Sequence, residues 1–420
     1  MNTKNKKNSF FAVVAPGLAD FCAAELVEQG LLGGKSANAV EAGGVDFSGS
    51  RAALYRANLH LRTASRILVR LGEFHAENFD QLRSRAGLLA WEQYVVAGQP
   101  VDLRVTCQKS RLYHSGAVAE RVAEAIGDRL GSAPAVQKTD EESNEQGAQL
   151  VVVRLQQDLC TISIDSSGAL LHRRGYRLAT AKAPLRETLA AALLLASGWD
   201  ARADTPPPLL DPFCGSGTIP IEAALMALQI APGRTRRFAF MDWPDFDAEL
   251  WQRLLDQTDE RAEQRSAQVA GHLTIQASDR DAGAVDAAQA NAERAGVGAA
   301  IAFARKAVSA IEPPPGPGAV VTNPPYGQRV RGGSDLRNLY AQFGKVLRAH
   351  CPGWQAAILC SDRILLGQTG LRLDTNLTFV NGGIKVIAAR GVVWQPTGAP
   401  EQTPFSAGTN ANSRAMADSD

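Results

Sequence analysis

No apolar stretch in this sequence approaches the roughly 20 residues that a helix needs to cross a bilayer. An excess of charge of either sign is also lacking, because 44 Lys and Arg residues are balanced by 43 Asp and Glu residues. Any attraction to a polyanion must come from local patches, so net charge neither supports nor excludes nucleic-acid binding. No repeat of fixed period is found, which argues against solenoids and propellers.

Patterns typical of metal sites are missing too. The six cysteines are far apart, show no C-x-x-C spacing and mostly lie in apolar runs, so we predict reduced core thiols. The six histidines show no ligand spacing. We therefore predict a cytoplasmic protein with no metal site and no membrane partner.

The composition is that of an ordinary globular protein, with 45% hydrophobic and 21% charged residues. A chain of 420 residues has room for two or three domains. Three segments of distinct composition divide it. We expect an exposed acidic loop at residues 137–147, a proline-rich connector at residues 201–208 and a disordered tail at residues 396–420.

From Leu209 onward, strand-like apolar runs alternate with helical patterns, which predicts a doubly wound α/β sheet. The predicted strands and helices are, in chain order, residues 209–211, 219–230, 273–277, 281–295 and 319–322. Two further β-rich runs, at residues 371–379 and 384–393, flank Asn381-Gly382-Gly383, a strong hairpin signal. We expect a parallel sheet with an antiparallel pair at one end, whose ligands bind at the carboxyl ends of the strands.

The first of these strands leads into DPFCGSGT, residues 211–218. Gly215 and Gly217 remove side chains where a backbone must approach a ligand, and the following helix directs free N–H groups at a carboxylate or phosphate. Asp211 adds an acceptor for an ammonium group. S-adenosylmethionine needs both features, whereas a dinucleotide favours a G-x-G-x-x-G motif, whose third glycine is missing here. The alternative interpretation is a strand-to-helix turn without a ligand.

Asp279 ends the next predicted strand, where an acid can accept hydrogen bonds from ribose hydroxyls. It lies much further along the chain than the about 20 residues usual in a dinucleotide-binding unit. An insertion at about residues 231–271 must therefore separate the first two strands. The alternative role for Asp279 is helix capping, since Asp279 and Asp281 both precede an alanine-rich helix.

The third strand leads into Asn323-Pro324-Pro325-Tyr326. The prolines fix an extended turn, so the Asn323 side-chain oxygen and a neighbouring carbonyl can accept hydrogen bonds from one substrate amino group. Such bonds help a conjugated amine to attack an electrophile held in line. Tyr326 is positioned to stack on a base. The alternative is a strand that merely ends in a proline-rich turn.

Residues from about 175 to 393 resemble the methyltransferase domain of the THUMP-containing guanine-N2 RNA methyltransferases, especially the large-subunit ribosomal RNA member of that group. The matching stretches are RGYR from Arg174, APLRETLAAALLL from Ala183, DPFCGSGTIPIEAA from Asp211, SDRD from Ser278 and VTNPPYGQR from Val321. CQKSRLYHSGAVA from Cys107 is similar to the THUMP RNA-binding module.

The resemblance implies an α/β fold with a Rossmann-like class I methyltransferase sheet and a terminal antiparallel hairpin. An α+β ferredoxin-like segment at residues 1–65 and a THUMP domain at residues 66–166 precede the methyltransferase domain at residues 167–395. Some relatives carry a second methyltransferase domain, for which we expect no room after Val393.

The resemblance also assigns roles to individual residues. S-adenosylmethionine, the implied cofactor, is held by Asp211, Phe213, Gly215, Gly217, Thr218 and Asp279. The catalytic turn consists of Asn323, Pro324, Pro325 and Tyr326. Two departures from the family pattern concern Lys306-Ala307, where many relatives have an adenine-contacting Asp, and Gln328, where relatives often have Glu.

Two clusters combine basic and aromatic residues, which can contact phosphates and stack on unpaired bases. Either cluster alone also fits a solvated face, and the THUMP resemblance favours the first. The predicted RNA-binding residues are Lys109, Arg111, Tyr113 and His114 in the first cluster, Arg173, Arg174 and Arg177, beside His172 and Tyr176, in the second, and Arg329.

Our preferred hypothesis is methyl transfer from S-adenosylmethionine to guanine N2 of 23S ribosomal RNA by in-line displacement. The NPPY turn also occurs in methyltransferases that act on adenine N6, on cytosine N4 and on protein glutamine. Only the THUMP resemblance therefore favours guanine in RNA as the substrate. The alternatives are a transfer RNA guanine-N2 methyltransferase and an RNA-binding assembly factor with weak or no catalysis.

Overall fold

The computed structural model describes residues 8–33, 39–41, 43–138, 147–177, 185–326 and 333–394. Gln328, Arg329, most of the predicted acidic loop and the predicted tail lie outside these residues. No helix in the described part of the chain is long and apolar enough to cross a membrane.

The amino-terminal half of the chain forms one sheet of seven strands covered by helices. Its strands are β1 (Asn8–Val14), β2 (Val40–Glu41), β3 (Gly44–Gly49), β4 (Ala64–His75), β5 (Val101–Gln108), β6 (Gln149–Gln156) and β7 (Leu159–Asp165). Its helices are α1 (Ala19–Glu28), α2 (Arg51–His60), α3 (Phe79–Gly87) and α4 (Ser115–Leu130). The strand order is β2-β3-β1-β4-β7-β6-β5, and neighbouring strands are antiparallel except β5 and β6.

Strand β4 belongs to both predicted amino-terminal segments. Its first half pairs with β1, and its second half pairs with β7. The pairing with β7 shifts register between Arg70 and Gly72, which is the mark of a bulge. Residue 65, the predicted boundary, therefore lies at the start of a shared strand, and the division into two segments stays a prediction.

The carboxyl-terminal half forms a second seven-stranded sheet. Its strands are β8 (Leu209–Asp211), β9 (Ile275–Asp279), β10 (Ala302–Arg305), β11 (Ala319–Thr322), β12 (Gln355–Cys360), β13 (Thr378–Asn381) and β14 (Ile384–Val392). Its helices are α5 (Glu187–Ala196), α6 (Thr218–Ala227), α7 (Ala248–Val269), α8 (Ala282–Arg294), α9 (Gly333–His350) and α10 (Arg363–Gln368). The order β10-β9-β8-β11-β12-β14-β13 is parallel up to β12 and antiparallel beyond it. The predicted doubly wound sheet with a terminal hairpin is confirmed.

One predicted strand is shorter than expected. The run at residues 371–379 enters the sheet only at Thr378, although Asp374 forms an isolated bridge with Arg390. The Asp374 carboxylate accepts a hydrogen bond from the Asn376 backbone N–H at 3.0 Å. This local side-chain turn competes with strand pairing, which explains the late start.

The predicted insertion between β8 and β9 is present and joins the two sheets. It contains α7, and its aromatic residues pack onto the amino-terminal half. The Tyr55 ring stacks on Phe240 with ring centroids 4.4 Å apart, and the Trp243 indole N–H donates to the Gln149 side chain at 2.8 Å. Aromatic burial of this kind, with the indole partnered, holds the two halves in one arrangement.

Candidate cofactor and catalytic site

Three strand ends meet at the carboxyl edge of the second sheet. Strand β8 lies between β9 and β11, so Asp211, Asp279 and Asn323 follow three adjacent strands. The Thr322 hydroxyl donates to Asp211 Oδ1 at 2.6 Å. The Gly215 backbone N–H donates to Asp279 Oδ2 at 3.1 Å. The structure therefore brings the predicted cofactor-binding loop and the predicted catalytic turn together.

Asp211 is the most deeply buried acid of this edge, with 1% of its surface exposed. Burial raises the pKa of its carboxyl group to about 7, although hydrogen bonds from Thr322 and from the Phe213 backbone act in the opposite direction. Oδ2 has no hydrogen-bond partner among the described residues. A buried acceptor without a partner is costly, so this oxygen fits an ammonium group supplied by a ligand.

The glycine-rich loop uses its two glycines differently. Gly215 and Gly217 both have positive φ, at +52° and +83°. A Cβ on Gly217 would lie 2.9 Å from the Ala288 Cβ, whereas a Cβ on Gly215 would meet open space. Gly217 thus allows α6 to pack against α8, and Gly215 leaves room for a ligand beside the backbone.

Residues around the loop fix its position. Thr218, the first residue of α6, is buried. The Phe213 ring packs edge to face on Phe343, with centroids 5.2 Å apart. The buried Asn291 side chain on α8 donates to the Ser216 carbonyl at 2.9 Å. Asn291 was not predicted, because its role depends on a contact between distant helices that no local pattern encodes.

We expect the two glycines to separate stability from ligand binding. Gly217→Ala should lower the free energy of unfolding by about 2–5 kcal/mol, because a left-handed backbone cost of about 1–2 kcal/mol adds to about 1–3 kcal/mol for the overlap of the new methyl group with Ala288. Gly215→Ala should cost about 1–2 kcal/mol from its left-handed backbone and should also weaken binding of S-adenosylmethionine, the predicted cofactor. Thermal unfolding and calorimetric titration of both variants check this, and equal affinity in wild type and Gly215→Ala would contradict it.

Asp279 contacts the loop and does not cap the next helix. Its Oδ1 accepts from the Asp281 backbone N–H at 3.0 Å, and its backbone carbonyl accepts from the Lys306 N–H at 3.0 Å. Asp281 is the N-cap of α8 and accepts from Gly283 N–H at 2.8 Å. The Lys306 ammonium pairs with Glu312 at 3.1 Å. The capping alternative thus belongs to Asp281.

The Asn323 turn contains a second buried acceptor without a partner. Asn323 Oδ1 is buried and has no hydrogen-bond partner among the described residues. Tyr340 of α9 donates from its hydroxyl to the Pro325 carbonyl at 3.3 Å. Pro324 is buried, and Tyr326 is 5% exposed. Sequence reasoning missed Thr322 and Tyr340, although the position of Thr322 between a strand and Asn323 was a usable signal.

The first predicted RNA-binding cluster lies on the surface. Lys109, Arg111, Tyr113 and His114 are all exposed between β5 and α4. Tyr113 is 69% exposed, and its ring lies 4.1 Å from that of His114. Arg111 pairs with Glu77 at 2.5 Å in an exposed ion pair. Such a pair contributes little stability and can be exchanged for a phosphate contact.

The second cluster is largely buried. Arg174 is 3% exposed, and its guanidinium donates to the carbonyls of Leu171 and Arg62 at 2.5 and 2.6 Å. It also lies 3.5 Å from the buried Glu222 carboxylate. These contacts give Arg174 a structural role at the junction between the two halves of the chain, and no RNA contact is proposed for it.

Neighbours of Arg174 follow the same pattern. The Arg177 guanidinium donates to the Leu185 carbonyl at 2.9 Å and to the buried Glu187 carboxylate at 3.1 Å. His172 and Tyr176 are buried, and Arg173 is half-buried. This arrangement corrects the expected basic surface at Arg174 and Arg177, because their guanidinium groups point into the fold, where buried acceptors partner them.

Among the described residues, no group of three or more His, Cys, Asp and Glu side chains is placed to hold a metal ion.

This sheet order, with acids and a glycine loop at its carboxyl edge, is that of a class I methyltransferase. Residues 174–387 match the model of the RMKL-like methyltransferase domain, and residues 9–68 match that of the RlmL ferredoxin-like domain. The chain belongs to the RMKL-like methyltransferase family.

Two curated relatives illustrate the match. The candidate RNA methyltransferase slr0064 of Synechocystis sp. is 37% identical over 377 residues, which are 89% of this chain and 94% of that protein. Ribosomal RNA large subunit methyltransferase K/L of Syntrophotalea carbinolica is 36% identical over 384 residues, which are 90% of this chain and 52% of that protein. The chain thus spans about half the length of its K/L relatives.

Two solved structures share the whole architecture. SMU.472, a candidate methyltransferase in complex with SAH, has a TM-score of 0.78 and 28% identity, covering 94% of this chain and 100% of that chain. A protein from Listeria monocytogenes, described as a predicted N6-adenine-specific DNA methylase, has a TM-score of 0.78 and 31% identity, covering 93% of this chain and 97% of that chain.

Proposed function

We propose that the chain transfers a methyl group from S-adenosylmethionine to the N2 amine of a guanine in large-subunit ribosomal RNA. One observation carries the proposal. Asp211 Oδ2 and Asn323 Oδ1 are two buried acceptors that have no hydrogen-bond partner among the described residues. They lie at the ends of the adjacent strands β8 and β11, and the Thr322 hydroxyl, next to Asn323 in the chain, donates to the other oxygen of Asp211. One acceptor suits the ammonium group of the cofactor, and the other suits the amine that receives the methyl group.

The residues of the site fit S-adenosylmethionine. Asp211 offers a buried carboxylate oxygen, Gly215 leaves open space beside its backbone, and α6 directs its amino end at the same edge. Asp279 ends the next strand, where a ribose is bound in related sheets. When bound, the cofactor supplies an electrophilic methyl group on a sulfonium sulfur.

The Asn323 turn would prepare the substrate amine. A guanine N2 lone pair is delocalised into the ring, so the amine is a poor nucleophile. Asn323 Oδ1 and a backbone carbonyl of the turn accept its two N–H groups and favour a pyramidal nitrogen that points at the methyl group. Tyr340 holds the turn through the Pro325 carbonyl. The base must leave its stack to reach this depth.

RNA as the substrate is supported by the names of the curated relatives and by the exposed cluster of Lys109, Arg111, Tyr113 and His114. We propose that this cluster belongs to a THUMP domain at residues 66–166 and contacts phosphates and unpaired bases. Arg173 and Arg329 remain candidates for RNA contact. The choice of guanine N2 rests on the sequence resemblance.

Labelled S-adenosylmethionine should be incubated with the purified chain and with nucleic acids from cells that lack this protein. The nucleic acids are ribosomal RNA, transfer RNA and DNA. We expect label in N2-methylguanosine from large-subunit RNA. Label in transfer RNA would keep the chemistry and change the substrate, and label in N6-methyladenine of DNA would overturn the choice of guanine. No label together with no measurable cofactor binding would favour an RNA-binding assembly factor.

A further inference from the structure

A cavity of about 490 Å³ lies between the amino-terminal half and the insertion helix α7, away from the candidate site. It is bounded by α1, α2, the end of α6 and residues 199–202. Helix α6 begins at the cofactor loop and runs to the opposite edge of the sheet, so its ten residues place the cavity about 15 Å from that loop. A volume of this size is within the range of small-ligand sites.

Four arginines line the cavity, and two of them already have carboxylate partners. Arg202 forms an ion pair with Glu28. Arg62 lies 3.9 Å from Glu222 and donates to the Ile230 carbonyl at 2.7 Å. These two cations belong to the internal network of the fold.

The remaining two arginines have no carboxylate within ion-pair distance among the described residues. Arg56 donates to the Gln29 carbonyl, and Arg261 is exposed on α7. Both arginines line the cavity. Burial lowers the pKa of Arg56, and the nearby charge of Arg261 lowers it further. Two like charges that converge on one cavity oppose each other until an anion lies between them.

The acids of the cavity are occupied elsewhere. Glu25 accepts from the Arg62 and Thr63 backbone N–H groups at 2.9 and 3.0 Å. Asp200 accepts from the Arg202 and Ala203 N–H groups at 3.0 and 3.1 Å. Neither carboxylate pairs with Arg56 or Arg261. The positive charges of these two arginines are therefore available to an anionic ligand.

We propose that this cavity binds a phosphate group through Arg56 and Arg261. The planar guanidinium fork matches phosphate oxygens in two parallel hydrogen bonds, which favours phosphate over a monovalent ion. Two sources share this chemistry, the RNA backbone and a free nucleotide. The proposal concerns the edge of the sheet opposite the Asn323 turn and does not depend on the methyl-transfer reaction.

The test titrates two probes, inorganic phosphate and AMP, into the full chain. The ionic strength is kept constant, and chloride serves as the reference anion. Wild type should bind AMP, and Arg56→Gln/Arg261→Gln should bind it at least tenfold more weakly. Arg253→Gln is the control, because Arg253 lies on the same helix, is exposed and does not line the cavity. The single variant Arg261→Gln removes an exposed charge and should leave the melting temperature of the ligand-free protein unchanged or higher.

RNA binding over a salt series separates the two sources. A slope of log K against log salt that falls by about 1–2 in the double variant would assign the phosphate to the RNA backbone. An unchanged slope with loss of AMP binding would assign it to a free nucleotide. Equal binding of AMP, phosphate and RNA by wild type and the double variant would overturn the proposal.

Discussion

Asn323→Ala should lower the rate of methyl transfer by about 10²–10³-fold and leave the affinity for S-adenosylmethionine unchanged within about twofold. The expected rate loss is that of removing one preorganised hydrogen-bonding group from the reacting centre. Asn323 Oδ1 is buried and has no partner among the described residues, so its removal breaks no internal hydrogen bond of the described fold. Single-turnover kinetics and calorimetric titration measure the two quantities separately.

Asn376 offers a matched control for this substitution. Its side chain is exposed in the segment before β13, far from the carboxyl ends of β8 and β11 in the strand order. Asn376→Ala should keep full activity. Full activity in Asn323→Ala as well would exclude the proposed role of the turn, and a collapse of the melting temperature in that variant would show a structural role.

Asp211→Asn should weaken cofactor binding by roughly 10–100-fold, which corresponds to the loss of a hydrogen bond to a charged group. The substitution keeps the size of the side chain and its acceptor for the Thr322 hydroxyl. It removes the negative charge that would face the ammonium group. Calorimetric titration of wild type and variant at pH 8 gives the difference directly.

The same residue predicts a pH dependence. Burial raises the pKa of Asp211 to about 7 in the cofactor-free protein, so its carboxyl group is protonated below that pH. Cofactor affinity of the wild type should therefore fall by about tenfold per pH unit below pH 7. The affinity of Asp211→Asn should stay flat over this range, and parallel pH profiles for the two proteins would rule out the assignment.

Stability should change in the opposite direction from affinity. The folded protein holds the Asp211 proton more tightly than the unfolded chain, whose carboxyl group has a pKa near 3.8. The free energy of unfolding that this group contributes is present below about pH 4 and falls as the pH rises to about 7. Asp211→Asn should consequently melt at a higher temperature than wild type at pH 8 when no cofactor is added.

The predictability of this site differs from residue to residue. The sequence predicts that Asp211, Asp279 and Asn323 lie close together, because each comes at the end of an apolar strand and strand ends of a parallel sheet meet at one edge. Thr322 and Tyr340 were missed, because a hydroxyl gains its role from a partner on another element. Short-range sequence patterns do not predict contacts between residues on different elements.

The second basic cluster shows a residue pattern that predicts the wrong environment. The alternation of arginine and tyrosine in RGYR predicts an RNA-binding surface. The decisive partner is Glu222, which lies on a distant helix and is fully buried. A pattern of charges and rings cannot distinguish a surface that awaits phosphates from an internal network that already has its counterions.

The packing of the insertion on the amino-terminal half has a consequence for target choice. The Tyr55 ring on Phe240, the Trp243 hydrogen bond to Gln149 and the Arg174 hydrogen bond to the Arg62 carbonyl tie the surface that carries Tyr113 to the body that carries Asn323. These contacts keep the distance between the Tyr113 surface and the Asn323 turn constant. Under the proposed function, RNA held at Tyr113 would present to Asn323 a nucleotide at a fixed distance along the strand. Inserting or deleting base pairs between the held segment and the target nucleotide should then move the modification to a neighbouring nucleotide.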